Sequence, residues 1–188
     1  HFSPEVGHAA VRVREPAGLD VELAPRDVCC GLTLVSTGQL DLARRQLRRT
    51  VRRLAEVTSG GPDGQPVPLV VLEPSCLAVL RHDASALLSG DDAVPEGLVT
   101  ELAARSRTLA EVLEAYAGDL VWPHLQGLTA VAQPHCHQHA VLGYETDAQL
   151  LRRNGVTLQT LGGCCGLAGN FGVEQGHYEV SVAVARTA

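Results

Sequence analysis

The stretch Gly162-Gly163-Cys164-Cys165-Gly166-Leu167-Ala168-Gly169-Asn170-Phe171-Gly172 sets two adjacent cysteines inside a run of five glycines. Vicinal thiols do not readily bridge each other, because the ring that such a disulfide closes is strained. They can face one metal centre if the backbone bends sharply beside them, and glycine permits that bend through positive φ. The arrangement recurs at Cys29-Cys30-Gly31-Leu32. A chain that repeats this bent thiol pair within 188 residues is constrained to build two similar pockets.

The flanks repeat too. Ala17-Gly18-Leu19-Asp20-Val21 leads to the first pair as Asn154-Gly155-Val156-Thr157-Leu158 leads to the second. Each reads as a helix ending at glycine, then a strand, then the thiols, which is the signature of an internal duplication. Cys76 follows Cys30 by 46 residues, and Cys136 precedes Cys164 by 28. Mapped onto the other half, these offsets place one further cysteine at or just before His1 and another beyond Ala188. Each half is thus expected to show three cysteines of four, and the chain, which contains no methionine, to be a piece of a longer one.

Apolar periodicity predicts helices over residues 4–15, 39–57, 77–88, 96–116 and 140–153, and a last helix from about 175. Strands are expected at 19–23, 67–72, 129–132 and 156–161, with a loop at 59–64 and a turn at 89–92. The alternation of short apolar strands with helices implies an α/β fold. Two pseudo-repeated Rossmann-like lobes, 1–125 and 126–188, would carry short parallel sheets flanked by helices. The CCG loops would sit at strand C-terminal ends, where such sheets place ligands. Helix 39–57 carries an apolar face (Leu40, Ala43, Leu47, Val51, Leu54) and a basic one (Arg44, Arg45, Arg48, Arg49, Arg52, Arg53). The basic face reads as solvated, or alternatively as a docking surface for an acidic partner.

A net charge of −6 argues against a nucleic-acid partner. No apolar run is long enough for a transmembrane segment, and no secretory signal is present. Two vicinal pairs fit a disulfide framework badly, so the cysteines read as reduced, intracellular metal ligands. The expected location is cytoplasmic, or peripheral at the cytoplasmic membrane. Thiolates brought together from strand ends and a glycine-bent pair suit an iron–sulfur cluster. Zinc is the rival, although structural zinc favours short Cys-x₂₋₄-Cys knuckles that neither half has.

His135, His137 and His139 flank Cys136, and an extended segment would set all three on the side opposite to it. His135 and His137 are read as hydrogen-bond partners of the cluster or its loops, with a metal-ligand role for one histidine as the alternative. Glu73 is read as a loop cap, and His177, Tyr178 and Glu179 as packing or interface residues. Gly31, Gly166 and Gly169 would let backbone amides approach the cofactor. The spacing of Gly166, Gly169 and Gly172 resembles a phosphate-binding turn, a weaker reading here.

A lone Cys, then Cys-Cys-Gly, then a later Cys, present twice, resembles the cysteine-rich CCG domain. That domain occurs in heterodisulfide reductase subunits, in iron–sulfur subunits of glycolate oxidase and lactate-utilisation complexes, and in the C-terminal part of long FAD-linked 2-hydroxy-acid dehydrogenases. The last group is most similar, through Glu73-Pro74-Ser75-Cys76, Pro134-His135-Cys136-His137-Gln138, Gly163 to Gly172 and His177-Tyr178-Glu179-Val180-Ser181. Phe2-Ser3-Pro4-Glu5-Val6-Gly7 resembles the segment after that group's first cysteine. The resemblance implies that Cys29, Cys30 and Cys76 ligate one 4Fe–4S cluster and Cys136, Cys164 and Cys165 a second, one or both being occupied. Heterodisulfide reductases carry Cys-x-x-Cys where this chain has only Cys76, which favours ordinary clusters over their noncubane ones.

The implied function is electron transfer from FAD, in an upstream part or a partner subunit, to a quinone or redox-protein acceptor. The substrate would be a D-2-hydroxy acid such as lactate, glycolate or 2-hydroxyglutarate, oxidised at the flavin. This chain has no flavin-binding fingerprint and would be inactive alone. A heterodisulfide-reductase-like subunit and a zinc-stabilised interaction module are the alternatives.

Overall fold

The first helix, α1 (Pro4–Arg14), tightens into a 3₁₀ turn at Glu15–Ala17 in the computed structural model, which describes residues 3–61, 64–118 and 120–187. His1 and Phe2, and Pro62 and Asp63 of the expected loop, lie outside the described residues. The chain divides into two units, His1–Val121 and Trp122–Ala188.

In the first unit, Gly18 (φ 70°) ends the helical segment, and the Leu19 N–H donates back to the Arg14 carbonyl at 3.2 Å. This six-to-one bond is how glycine closes a helix. Residues 19–23, expected as a strand, form a loop, and Leu23 is 82% exposed. Alternation makes a strand only where a neighbour accepts its hydrogen bonds, and no strand pairs with this segment among the described residues.

A short α2 (Leu32–Ser36) precedes the main helix, α3 (Leu40–Thr58). Ala43, Leu47, Val51 and Leu54 are buried as expected, whereas Leu40 is 40% exposed. Leu47, Val51 and Leu54 meet Val79, Leu80, Ala84, Leu88 and Leu102 in the core, and Val28, Cys30 and Leu32 pack against that cluster. Full burial of each large aliphatic contributes about 1.5–3 kcal/mol, so the first thiol pair rests on the best-packed part of the unit.

The arginine stripe of α3 is mostly engaged within this unit. Arg44 donates to the Leu87 carbonyl, Arg52 to the Ala93 carbonyl, and Arg48 pairs with Asp91, clamping α3 to the turn at 87–93. Arg49 donates to the Asp27 carbonyl at 3.4 Å and Arg53 faces the Asp27 carboxylate at 3.8 Å. The stripe therefore supports the approach to Cys29.

Strand β1 is only Leu69–Val70, pairing in parallel with β2 (Ser106–Arg107). After β1, α4 (Pro74–Ala78), a π turn (Val79–Asp83) and α5 (Ala84–Leu87) replace the single helix expected at 77–88. The helix expected at 96–116 is broken into α6 (Leu98–Arg105) and α7 (Leu109–Tyr116), with β2 between them. The physical reason is a capping box: Thr108 accepts from the Glu111 N–H at 3.1 Å, and the Glu111 carboxylate accepts from the Thr108 N–H at 2.8 Å.

Arg81 locks this junction, donating from Nε and Nη2 to the Ser106 carbonyl at 2.9 and 2.7 Å and pairing with Glu111. Burial opposes the Glu111 charge, but Arg81, the Thr108 N–H and Arg107 outweigh it and hold its pKa below the ordinary carboxylate value. A depressed folded-state pKa stabilises fully above the unfolded value and is lost as pH falls through the folded one. Glu111→Gln keeps an acceptor for the cap and removes the charge. It should cost less than about 1 kcal/mol near neutrality, and its melting temperature should converge on the wild type's below about pH 4. Parallel curves across that range would show that the pair contributes nothing.

In the second unit β3 (Thr129–Ala132) and β4 (Thr157–Thr160) pair in parallel, in register from Thr129↔Thr157 to Ala132↔Thr160. The crossover is a π turn (Gln138–Leu142) and α8 (Glu145–Arg153), separated at Gly143 (φ 84°) where one helix was expected. Arg153 lies 5.4 Å from the Trp122 ring, a cation–π contact. Gly155 (φ 95°) ends α8, with the Val156 N–H on the Leu151 carbonyl at 3.2 Å, the same closure as at Gly18. A 3₁₀ turn (Phe171–Val173) and α9 (Tyr178–Ala185) follow, the helix starting three residues later than expected.

The fold is α/β with short parallel sheets and flanking helices. The second CCG loop does follow a strand, β4, while the first follows a loop, which corrects that expectation. No helix among the described residues is long and apolar enough to cross a membrane.

Candidate metal centre

In the first unit Cys29 and Cys30 end the loop before α2, and Cys76 sits in the first turn of α4, just past β1. Gly31 (φ 74°) caps α2 in the left-handed conformation, and its N–H points at Cys29 Sγ, 3.5 Å away. That bend turns the pair toward α4. Cys30 Sγ and Cys76 Sγ lie 2.8 Å apart, both thiols half-buried, with Cys29 exposed beside them. Glu73 is the N-cap of α4, accepting from the Ser75 hydroxyl at 2.6 Å and the Ser75 N–H at 3.3 Å. It is a cap, as expected, and its charge also faces Cys76.

Electrostatics divides the two close thiols. Cys76 keeps its proton and donates it to Cys30, the largest cause that brings the Cys30 pKa down to about 7 against the opposing effect of burial. The same hydrogen bond, then burial and the charges of Cys30, Glu73 and Cys29, push the Cys76 thiol up. One thiolate is therefore available near neutral pH, the form in which cysteine binds metals.

The sequence reading missed the residues that hold this loop. Thr50, buried on α3, donates to the Cys29 carbonyl at 2.7 Å while its oxygen accepts from the Cys29 N–H at 3.2 Å and from Gln46 Nε2 at 3.1 Å. The signal was a polar residue on the stripe of Leu47, Val51 and Leu54. Thr50→Val removes both bonds to Cys29 and leaves its N–H without that acceptor. The expected cost is about 1–3 kcal/mol, read as a lower melting temperature with faster alkylation of Cys29. An unchanged melt would show that the loop holds itself.

In the second unit Cys136 follows β3 and Cys164-Cys165 follow β4, so the two segments leave neighbouring strand ends. Gln133 Nε2 donates to the Gly163 carbonyl at 3.3 Å and ties them. The Gly166 N–H points at Cys164 Sγ at 3.4 Å with φ 81°, reproducing Gly31 and Cys29. All three thiols are exposed. Gly169 (φ 73°) opens to free space. His177 stacks on Phe171 with centroids 4.0 Å apart, and Tyr178 is exposed.

The extended segment expected around Cys136 is helical from Cys136 onward, which overturns the alternation argument. Winding brings His135 and His137 to the same side as the thiol, and the donor atoms of His135, Cys136 and His137 all lie within 4.8 Å of one another. His139 is exposed and outside that group.

Residues 1–81 match the family described as CCG, cysteine-rich domain. That match takes in under half of the chain and contains Cys29, Cys30 and Cys76. The chain is 28% identical over 184 residues to a subunit of the anaerobic glycerol-3-phosphate dehydrogenase of Escherichia coli (strain K12), covering 96% of this chain and 44% of that one. It is 26% identical over 181 residues to lactate utilization protein A 2 of Bacillus cereus (strain Q1), covering 92% and 69%. The chain thus spans under half the length of the first of these relatives. No solved structure matches it. The thiol set of the first unit, three soft donors with one already acidic and an amide aimed at another, fits a thiolate-held cluster, which takes four such ligands.

Proposed function

We propose that Cys29, Cys30 and Cys76 hold a 4Fe–4S cluster and that the chain carries electrons for an FAD-linked oxidoreductase. The observation that carries this is the 2.8 Å approach of Cys76 Sγ on α4 to Cys30 Sγ of the glycine-bent Cys29-Cys30 pair. The cluster, when bound, accepts and releases single electrons. The protein's part is to set the thiols through Gly31, keep Cys29 in place through Thr50 and Gln46, and shield Cys30 against the core. The duplication supports a second centre on Cys136, Cys164 and Cys165, with Gly166 and Gly169 shaping its loop and the two lobes dividing near residue 125.

The flavin belongs to another domain or a partner subunit, and the acceptor is a quinone or redox protein. The lactate-utilisation relatives favour a D-2-hydroxy acid as the substrate oxidised at that flavin. The glycerol-3-phosphate dehydrogenase relative favours a polyol phosphate, and its name as a subunit favours a separate flavin chain. The complex would work in the cytoplasm or at the inner face of its membrane.

Anaerobic purification should give acid-labile sulfide with at least as much iron, and an EPR signal after dithionite from the first unit's cluster that disappears in Cys29→Ser/Cys30→Ser. Mixed with its flavin partner, the cluster should be reduced by D-lactate or by glycerol 3-phosphate, which decides between the substrates. Zinc without sulfide would overturn the electron-transfer reading and leave a zinc-stabilised module.

A further inference from the structure

The second unit is not a plain copy of the first. It adds two imidazoles beside its lone cysteine, and the fold brings their donor atoms within 4.8 Å of each other and of Cys136 Sγ. The two rings are nearly parallel, 11° apart with centroids at 5.2 Å. His135 Nδ1 accepts the His137 N–H at 3.2 Å, which fixes the first ring and leaves its Nε2 for another partner. His137 Nδ1 is buried and has no hydrogen-bond partner among the described residues. A buried ring nitrogen without a partner carries a desolvation cost of about 1–3 kcal/mol, and a metal ion is a partner that removes it.

We propose that the second unit binds a single divalent transition-metal ion, zinc or ferrous iron, through His135, Cys136 and His137, rather than a cluster on thiolates alone. Donor atoms around one tetrahedral zinc stand about 3.5 Å apart, given bond lengths of about 2.0–2.3 Å. A spread of at most 4.8 Å closes to that by side-chain rotation. Two imidazoles and one thiolate form a borderline donor set that suits such ions. The fourth position faces no ligand fixed by this triad. The Cys164-Cys165 loop, tied to this segment by Gln133, is the neighbouring source of a thiolate. The π turn beginning at Gln138 is where the chain leaves the triad, and such turns recur at functional sites.

This rests on reading the second unit as a metal centre and narrows what that centre is. It is independent of the cluster assigned to the first. The test uses the whole chain carrying Cys29→Ser, Cys30→Ser and Cys76→Ser, so that only the second unit's donors remain. Metal analysis, sulfide assay and titration with cobalt(II) as a spectroscopic probe are then run together. The expected result is one ion per chain without sulfide, and a cobalt complex with thiolate charge-transfer absorption.

Cys136→Ser should weaken that absorption, leaving at most the contribution of a thiolate from the Cys164-Cys165 loop. His137→Ala and His135→Ala should each weaken cobalt binding by at least about tenfold, while His139→Ala should not change it. Two imidazole variants are needed because one of them could disturb the fold, which circular dichroism reports. Iron with matching sulfide in the triple variant would overturn the single-ion assignment while leaving a metal centre in place. No metal, or cobalt binding indifferent to both histidines, would overturn it altogether. Loss of the cluster signal from the parent chain bears only on the first unit.

Discussion

Gly166→Ala should destabilise the second unit by about 3 kcal/mol or more, far beyond the same change at Gly31. Both glycines hold positive φ, 81° and 74°, which costs an alanine about 1–2 kcal/mol. The difference lies in what a methyl group would meet. At Gly166 it would fall 2.2 Å from the Ser181 carbonyl oxygen of α9, whereas at Gly31 the nearest atom is Gln46 Cγ at 3.7 Å. A backbone oxygen cannot rotate aside, so α9 must shift, and overpacking of that kind adds about 1–3 kcal/mol. Gly172 closes the same contact, its added methyl lying 2.5 Å from Ser181 Oγ, which leaves the helix nowhere nearer to settle. The expected fall in melting temperature is roughly 10 °C or more, with hydrogen exchange rising first in α9. A melt matching Gly31→Ala would show that α9 lifts off the loop at no cost.

That contrast explains what the sequence could and could not tell. Two Cys-Cys-Gly motifs require positive φ at both glycines, and both have it. The duplication was readable down to its helix closures, since Gly18 and Gly155 end their helices by the same bond. The sequence could not show that Gly166 also packs on a serine fifteen residues later, because such a contact belongs to the tertiary fold.

The elements fail for similar reasons. The alternation at 19–23 is a strand pattern without a partner, and 67–72 pairs over only two residues because β2 is that short. Thr108-x-x-Glu111 was a legible helix start that the continuous apolar period of 96–116 concealed. At the site, the repeated thiol pattern foreshadows the meeting of Cys30 with Cys76, and Glu73 is legible as a cap from its place before Pro74. Thr50 is one polar residue in an apolar stripe, and alternation misplaces the histidines because the segment winds into a helix from Cys136.

Cys76→Ala should strip the first unit of its cluster and, in the metal-free protein, slow the alkylation of Cys30 at pH 7 by about fivefold. In the wild type the Cys76 thiol donates to Cys30 and holds it near pKa 7, so about half of Cys30 is thiolate at that pH. Without the donor the pKa rises toward the ordinary 9.0, and the thiolate fraction falls to about one in a hundred. The more basic thiolate is also the better nucleophile, which recovers about tenfold and leaves the net loss near fivefold. The sign follows from the donor: losing it disfavours the anion, so the alkylation midpoint moves to higher pH. Cys76→Ser separates the two roles of this residue. Its hydroxyl still donates, so Cys30 should react at nearly the wild-type rate, yet serine is a poor substitute for a thiolate on iron. Iron and sulfide should therefore fall in both variants, while iodoacetamide mapping of Cys30 tells them apart. Equal alkylation rates in all three proteins would show that Cys76 does not acidify Cys30. Full iron and sulfide in Cys76→Ala would remove Cys76 from the ligand set.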